Sequence, residues 1–247
     1  MLIEEVSGEG VRDAEAVKEF FNQWSVYHRI VENDYLYHRS VKSALVRLLD
    51  DLGRPFSFLD LGCGDAAFSA ELLKGRAVTS YTGIDLSNVA LDFAAENIGK
   101  IGIPHSLHCG DFMTLIASIP EAHDIIYIGL SLHHLAREEK KFLFGELRHR
   151  ISMGGALLIF DPVLTPGETR EHYLGRWTDH AIWSWQSLTS EEVDRAVQHV
   201  ETADFPEDLT TLNRMALNAG FQPAKILFMD RTDFYALMAF QPLQLSE

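Results

Sequence analysis

Two cysteines, Cys63 and Cys109, are all that the sequence holds. They build neither a disulfide framework nor a cysteine-based zinc spacing, which fits a reducing compartment. Basic residues are scarce as well: 21 Lys and Arg stand against 36 Asp and Glu, a formal net charge of -15. That balance disfavours a nucleic acid gripped over a broad surface, although a local basic strip remains compatible with it. No apolar run approaches the roughly 18 residues of a membrane helix; the longest are Ile125 to Leu130 and Tyr235 to Phe240. Met1 to Gly10 is acidic and lacks the basic and apolar regions of a secretory leader, so the chain reads as cytoplasmic. What is present is ordinary globular composition, 47% hydrophobic and 23% charged over 247 residues, which suits one α/β domain with insertions.

The N-terminal part, residues 1–54, reads as a helical cap. Val17, Phe20, Phe21 and Trp24 make one helical stripe, and Val41, Ala44, Leu45, Leu48, Leu49 and Leu52 make another that stops at Gly53. From residue 55 the period changes. Ser57 to Leu61, Tyr81 to Asp85, Ser106 to Cys109, Ile125 to Ile128 and Ala156 to Asp161 are short apolar runs of the kind that form buried parallel strands. Between them, Ser87 caps a helix expected to end at Gly99, and Arg137 to Arg150 places acids early and arginines late, as a helix dipole prefers. Alternation of this kind predicts an open, mostly parallel sheet with helices on both faces. Leu209, Leu212, Ala216 and Ala219 stripe a last helix ended by Gly220. The strands Ala224 to Met229 and Phe234 to Phe240 are then split only by Asp230 to Asp233. So short a connection allows a hairpin but no crossover, so the last strand should run antiparallel.

The stretch 162–206 interrupts the rhythm. It holds three of the four tryptophans (Trp177, Trp183, Trp185) and one clear helix opened by the capping box Thr189 and Glu192. A long insertion in an α/β domain is commonly a lid or binding element. Aromatics covering a sheet edge would give the same pattern.

The first strand ends in Asp60-Leu61-Gly62-Cys63-Gly64-Asp65-Ala66-Ala67. Gly62 and Gly64 permit a tight turn and close approach of backbone to a ligand. With Ala67 they also satisfy the dinucleotide pattern G-x-G-x-x-G/A, which alone separates no cofactor from another. Asp85 closes the second strand 21 residues past Gly64, where a carboxylate can accept from both hydroxyls of a ribose. Asp60 and Asp65 flank the turn; a pyrophosphate there would meet like charge, whereas a cationic ligand would not.

An acidic glycine turn followed by a ribose-binding Asp matches a sulfonium nucleoside. Phe58 to Phe68 resembles the first motif of class I S-adenosylmethionine-dependent methyltransferases. Tyr81 to Ser87 is similar to that family's acidic second-strand motif and Cys109-Gly110-Asp111-Phe112 to its third-strand motif. Ile125 to Leu135 and Gly154 to Asp161 resemble its fourth and fifth strands. In order and spacing the likeness covers about residues 55–161. It implies a Rossmann-like, doubly wound seven-stranded sheet with a reversed last strand. It also implies S-adenosylmethionine as cofactor, with Gly62 and Gly64 beside the methionine part, Asp85 on the ribose, Leu86 and Phe112 against the adenine, and Asp111 accepting from its amino group. Asp60 and Gly129 complete the expected cofactor shell. Ala66 stands where many members carry a third glycine, and Asp111 reads equally as a helix N-cap.

Gly129-Leu130-Ser131-Leu132-His133-His134-Leu135 follows the fourth strand, at the sheet end where the transferable methyl is expected. His-His-Leu here is similar to many small-molecule methyltransferases, so His133 and His134 are the candidates for taking a proton from the acceptor or orienting it. Structural packing of either is the competing reading. No metal is expected, because adjacent histidines on a regular element point apart. In similar enzymes the N-terminal segment folds over the cofactor, which makes Tyr27 and Arg39 candidates for the methionine carboxylate and Tyr37 for the acceptor, alongside Trp177, Trp183 and Trp185. The Asn/Asp-Pro-Pro-Tyr sequence of amino-methylating DNA enzymes is missing. The preferred reading is methyl transfer to a small molecule. The alternatives are a tRNA wobble-uridine methyl or carboxymethyl transferase, favoured by any basic strip near Arg170, Arg176 and Arg195, an NAD-dependent dehydrogenase, and a non-catalytic S-adenosylmethionine-binding module.

Overall fold

The computed structural model describes residues 26–119 and 122–243. The expected stripe Val17 to Trp24 lies outside them. The elements run α1 (His38–Asp51), β1 (Phe56–Leu61), α2 (Ala67–Leu73), β2 (Val78–Asp85), α3 (Asn88–Lys100), β3 (His105–Cys109), α4 (Phe112–Leu115) and β4 (His123–Gly129). There follow α5 (Arg137–Arg150), β5 (Ile151–Leu164), α6 (Arg170–Ser184), α7 (Ser190–Ala203), β6 (Glu207–Asp208), α8 (Leu209–Ala219), β7 (Lys225–Met229) and β8 (Tyr235–Phe240). Residues 26–32 form a further helical stretch ahead of α1. No described helix is long and apolar enough to cross a membrane.

The main sheet has the order β3-β2-β1-β4-β5-β8-β7, with β8 antiparallel to both its neighbours. The short connection from β7 to β8 therefore does what its length dictates. The seven expected strands gain an eighth: two-residue β6 pairs in parallel with the end of β5 through Val163 and Leu164.

Because helices cover both faces, successive strand residues are buried on opposite sides. Phe58, Tyr81, Ile125, Tyr127, Leu158 and Phe160 pack on one face with Val41, Leu45 and Leu49 of α1. Leu59, Ile84, Ile126, Ile128 and Leu157 pack on the other with Leu143, Phe144 and Leu147 of α5 and Leu212 and Met215 of α8. This double burial is why the strands read as unbroken apolar runs.

Three boundaries move. Gly99 lies inside α3, and the helix stops at Gly102, whose φ of 72° supplies the left-handed exit. β5 is longer than the expected 156–161. The insertion carries two helices instead of one. Its first, α6, buries Tyr173, Trp177 and Ala181 at i, i+4 and i+8, a stripe legible in the sequence once looked for. The capping box of α7 forms as expected, Thr189 accepting from the Glu192 N–H.

A buried carboxylate fastens the insertion to the body. Glu168 takes Arg176 in a two-point pair at 2.7 and 3.0 Å, accepts from the Thr165 N–H and hydroxyl, and contacts His172 at 2.8 Å. Arg176 reaches on to the Thr232 carbonyl in the hairpin. Burial alone would raise the Glu168 pKa, but Arg176, Thr165 and His172 outweigh it and hold it at about 2, down from 4.5. A depressed carboxylate pKa means that the stabilisation is complete above pH 4.5 and is lost as pH falls toward 2. It amounts to on the order of 3 kcal/mol. Unfolding free energies of the wild type and Glu168→Gln should thus differ near neutrality and converge in acid; parallel pH curves would contradict this.

Candidate active site

At the C-terminal edge of the sheet the Gly62 and Cys63 N–H groups both donate to the Ile84 carbonyl, at 2.8 and 3.0 Å, tying the β1 turn to the end of β2. Gly62 has φ 72°, and a Cβ there would collide with Ser131, which lies in the loop after β4. Gly64 has φ 54° and open space where a Cβ would stand, so its backbone is approachable from outside. Ala66, at the position of the family's third glycine, adopts φ 51° as the N-cap of α2. What the position asks for is left-handed backbone, which an L-residue meets at a cost of roughly 1–2 kcal/mol.

Asp85 accepts from the Gly64 N–H at 2.8 Å and from the Ser87 N–H at 2.9 Å, so the ribose candidate is already oriented by the turn it faces. Leu86 beside it is 74% exposed, unusual for a leucine at a strand end. Across the mouth, Asp111 is exposed and caps α4 by accepting from the Met113 N–H at 2.8 Å. The N-cap reading of this residue therefore holds, whatever its other oxygen contacts. Phe112 is half-buried and Gly129 closes β4 at the same edge. The open Gly64 backbone, the oriented Asp85 and the exposed Leu86 make a cradle that fits a nucleoside with a cationic tail.

Asp60 does not face this mouth. It is buried beneath the turn and accepts from Ser69 Oγ at 2.5 Å and Tyr81 Oη at 2.9 Å. Burial pushes its pKa up to about 6 in spite of those two bonds. Its part is to hold the turn from below, and the negative field at the mouth is left to Asp65 and Asp85.

The N-terminal candidates divide. Tyr27 Oη lies 3.3 Å from His38 Nε2, and loss of hydration, followed by the Asp65 charge, pushes the phenol up to about 12. His38 sits edge-on between Phe68 and Phe160, buried, with its Nδ1 lacking a partner, and burial lowers its pKa. No role is predicted for it from sequence, yet it links Tyr27 to Phe68 of α2, the helix that follows the glycine turn. Arg39 turns away: its guanidinium donates to the Glu32 carbonyl at 2.8 Å, and its N–H to Asp34 at 2.9 Å. Tyr37 packs on Phe228 and Tyr235 with its hydroxyl 3.4 Å from Thr232, an anchor for the hairpin and not a pocket wall.

The tryptophans also separate. Trp177 is buried and donates to Tyr235 Oη at 2.7 Å. Trp185, equally buried, stacks on Tyr35 at 5.5 Å and meets Trp177 edge-on at 5.2 Å. Both are core residues because α6 lays its apolar stripe on the sheet. Only Trp183, 80% exposed, presents its indole outward.

His133 and His134 lie in a 3-10 turn, Leu132–His134, so the alternation of a regular strand does not apply to them. Their ring centroids are 4.0 Å apart, which removes the geometric objection to a shared ligand. His133 is buried, with Nδ1 2.8 Å from Asp161 Oδ1 at the end of β5 and Nε2 3.5 Å from Asp204 Oδ1 just past α7. Burial acts to lower its pKa, but Asp161 and Asp204 together raise it. His134 is more open; burial and the neighbouring His133 push it down to about 4. Asp161 announces itself as an acid closing a strand, as Asp85 does. Asp204 carries no comparable signal in the sequence. A groove of about 700 Å³ between α1 and the β7 edge, lined by Ala44, Leu48, Gly154 and Lys225, opens at the opposite end of the sheet and contains none of these residues.

Residues 58–155 match the family model described as a methyltransferase domain. Over 196 residues the chain is 26% identical to the ribosomal RNA small subunit methyltransferase H of Sulfurovum sp. (strain NBC37-1), covering 73% of this chain and 62%, less than two thirds, of that protein. It is 23% identical to the carboxy-S-adenosyl-L-methionine synthase of Idiomarina loihiensis, covering 77% and 79%. Among solved structures, the mitomycin 7-O-methyltransferase MmcR superposes with a TM-score of 0.57 at 13% identity, covering 89% of this chain and 60% of MmcR. That likeness carries the fold alone. With a glycine turn flanked by acids, an Asp85 held by that turn and a reversed last strand, the matched domain and the methyltransferase relatives support a class I S-adenosylmethionine-dependent methyltransferase.

Proposed function

We propose that the chain transfers the methyl group of S-adenosylmethionine to a small-molecule nucleophile bound at the C-terminal edge of the sheet. When bound, the cofactor would supply an activated methyl group, chemistry in which alignment and water exclusion do most of the work. Asp85 holds the ribose, the Gly62 and Gly64 backbone admits the methionine part, Leu86 and Phe112 flank the adenine, and Asp111 receives its amino group. Asp65 and Asp85 set a negative field that suits a cation and opposes a pyrophosphate, which argues against a dinucleotide.

On the acceptor side, Tyr27 and His38 stand beside Phe68, just past the turn. Of the two later histidines, His133 has both ring nitrogens turned to carboxylates, so contact with the acceptor falls to His134. A pKa of about 4 keeps that imidazole neutral at physiological pH, and with Nδ1 engaged its Nε2 is left to orient the acceptor.

One observation favours a small acceptor over RNA. Arg170 is bonded to the Asp204 and Glu201 carbonyls and Arg176 to Glu168, so two arginines of the expected strip are turned to internal partners and Arg195 stands exposed. With a net charge of -15, phosphate gripping has little to draw on. The test is S-adenosylhomocysteine release over a panel of phenols, amines and thiols beside total RNA. Turnover with a small acceptor is expected; turnover with RNA alone, or none over the panel despite cofactor binding, overturns the reading. Trp183→Ala should raise the acceptor KM several-fold with melting temperature and cofactor affinity unchanged, since an indole 80% exposed supports no core. An unchanged KM removes Trp183 from the site.

A further inference from the structure

We propose that His133, His134 and Asp204 form a binding site for a divalent first-row transition ion, zinc being the best fit. Each of the three side chains offers one donor atom, and the three atoms lie within 4.8 Å of one another. Asp204 Oδ1 lies 3.5 Å from His133 Nε2 and 3.6 Å from His134 Nδ1. Donors on a tetrahedral zinc at 2.0–2.1 Å stand roughly 3.3 Å apart, so the two Asp204 separations close on an ion with shifts of a few tenths of an ångström, and the two imidazole donors, within 4.8 Å of each other, close by turning toward it. They are long for direct hydrogen bonds.

A second observation is independent of the clustering. Asp204 Oδ1 has no hydrogen-bond partner although its side chain is only 8% exposed. A buried carboxylate oxygen without a partner is costly, and a cation between the three donors removes that cost. The third observation concerns what lies behind the donors. His133 Nδ1 is 2.8 Å from Asp161 Oδ1, the carboxylate–imidazole pairing that fixes the proton on Nδ1 and leaves the Nε2 lone pair facing outward. Two imidazoles and one carboxylate suit zinc and its neighbours and not magnesium or calcium, and three protein donors leave a position open. His134, with its side chain 39% exposed, provides the way in.

Binding rearranges one contact. His134 Nδ1 faces the Ala203 carbonyl at 3.1 Å, so ligation places the imidazole proton on Nε2 and exchanges that contact for the ion; any proton on His133 Nε2 leaves to solvent. The nearby buried Lys140 ammonium is taken up by the Phe205 carbonyl and Glu207. The rival arrangement is a protonated His133 bridging Asp161 and Asp204 with no ion.

The experiment is calorimetric titration of the chelator-treated full chain with zinc, paralleled by cobalt(II) absorption. One saturable equivalent is expected, with the visible bands of a tetrahedral cobalt centre. Asp204→Asn and His134→Ala should each weaken binding at least 100-fold, and Asp161→Asn roughly 10- to 100-fold through its hold on His133. Circular dichroism checks that the variants are folded, and half-open His134→Ala should keep the fold even where Asp204→Asn does not. No saturable binding, binding indifferent to both Asp204→Asn and His134→Ala, or a His133 Nε2 proton that persists in nitrogen-15 spectra at saturating zinc would overturn the site.

Discussion

Asp85→Ala should lower S-adenosylmethionine affinity by about 100-fold or more. In the proposed complex the Asp85 carboxylate accepts from two ribose hydroxyls, each hydrogen bond to a charged acceptor contributing about 1.5–3 kcal/mol at most. Even the low end of that range, taken twice, exceeds a factor of 100. The structure adds a second cause. The same carboxylate fixes the Gly64 and Ser87 N–H groups, so its loss also loosens the turn against which the methionine part rests. Asp85→Asn, which keeps one acceptor oxygen, should fall between wild type and alanine. Calorimetry on folded variants decides it: affinity unchanged in Asp85→Ala would remove this residue from the cofactor site.

The largest expected loss of stability is at His133. Asp161 is 3% and Asp204 6% exposed, and the imidazole between them is the one group bonded to the first and nearest to the second. Removing one partner of a buried pair leaves uncompensated charge and typically costs about 3–5 kcal/mol. Lys140 lies close enough for Asp161 to act on it and offsets a part. Urea unfolding of His133→Ala in chelator-treated buffer should therefore show a loss of at least about 2 kcal/mol. His134→Ala, half-open and bonded to a single carbonyl, should lose far less. Equal losses in the two variants would mean that the pair is ordinary packing and that the carboxylates find other partners. A large loss confined to His133 makes it a positioning residue, which sets His134 and the end of the insertion relative to the crevice.

Much of the candidate cofactor site was legible because its determinants are local. A glycine turn after an apolar strand and an acid closing the next strand are decided within a few residues by backbone sterics and strand length, so Gly62, Gly64, Asp85 and the cap at Asp111 stand at the crevice edge. The same holds for the hairpin, where four polar residues leave no room for a crossover. Misplacements arise where several elements compete for one side chain. Asp60 sits next to the turn in sequence, but strand alternation points it down to Ser69 and Tyr81. Arg39 and Tyr37 flank His38 on one helix start, and helical geometry sends the three in different directions. Trp177 and Trp185 were read by residue type, while the stripe of α6 assigns them to the core.

The sequence by itself determined the sheet, its reversed last strand and the sulfonium-compatible turn, since each follows from periodicity, connection length and glycine conformation over short stretches. Only the tertiary structure decided that His133 lies between Asp161 and Asp204, that His38 stands beside Tyr27, and that Arg170 and Arg176 of the insertion are bound internally. The His133 contacts span 28 and 71 positions along the chain, brought together by packing that no local pattern encodes.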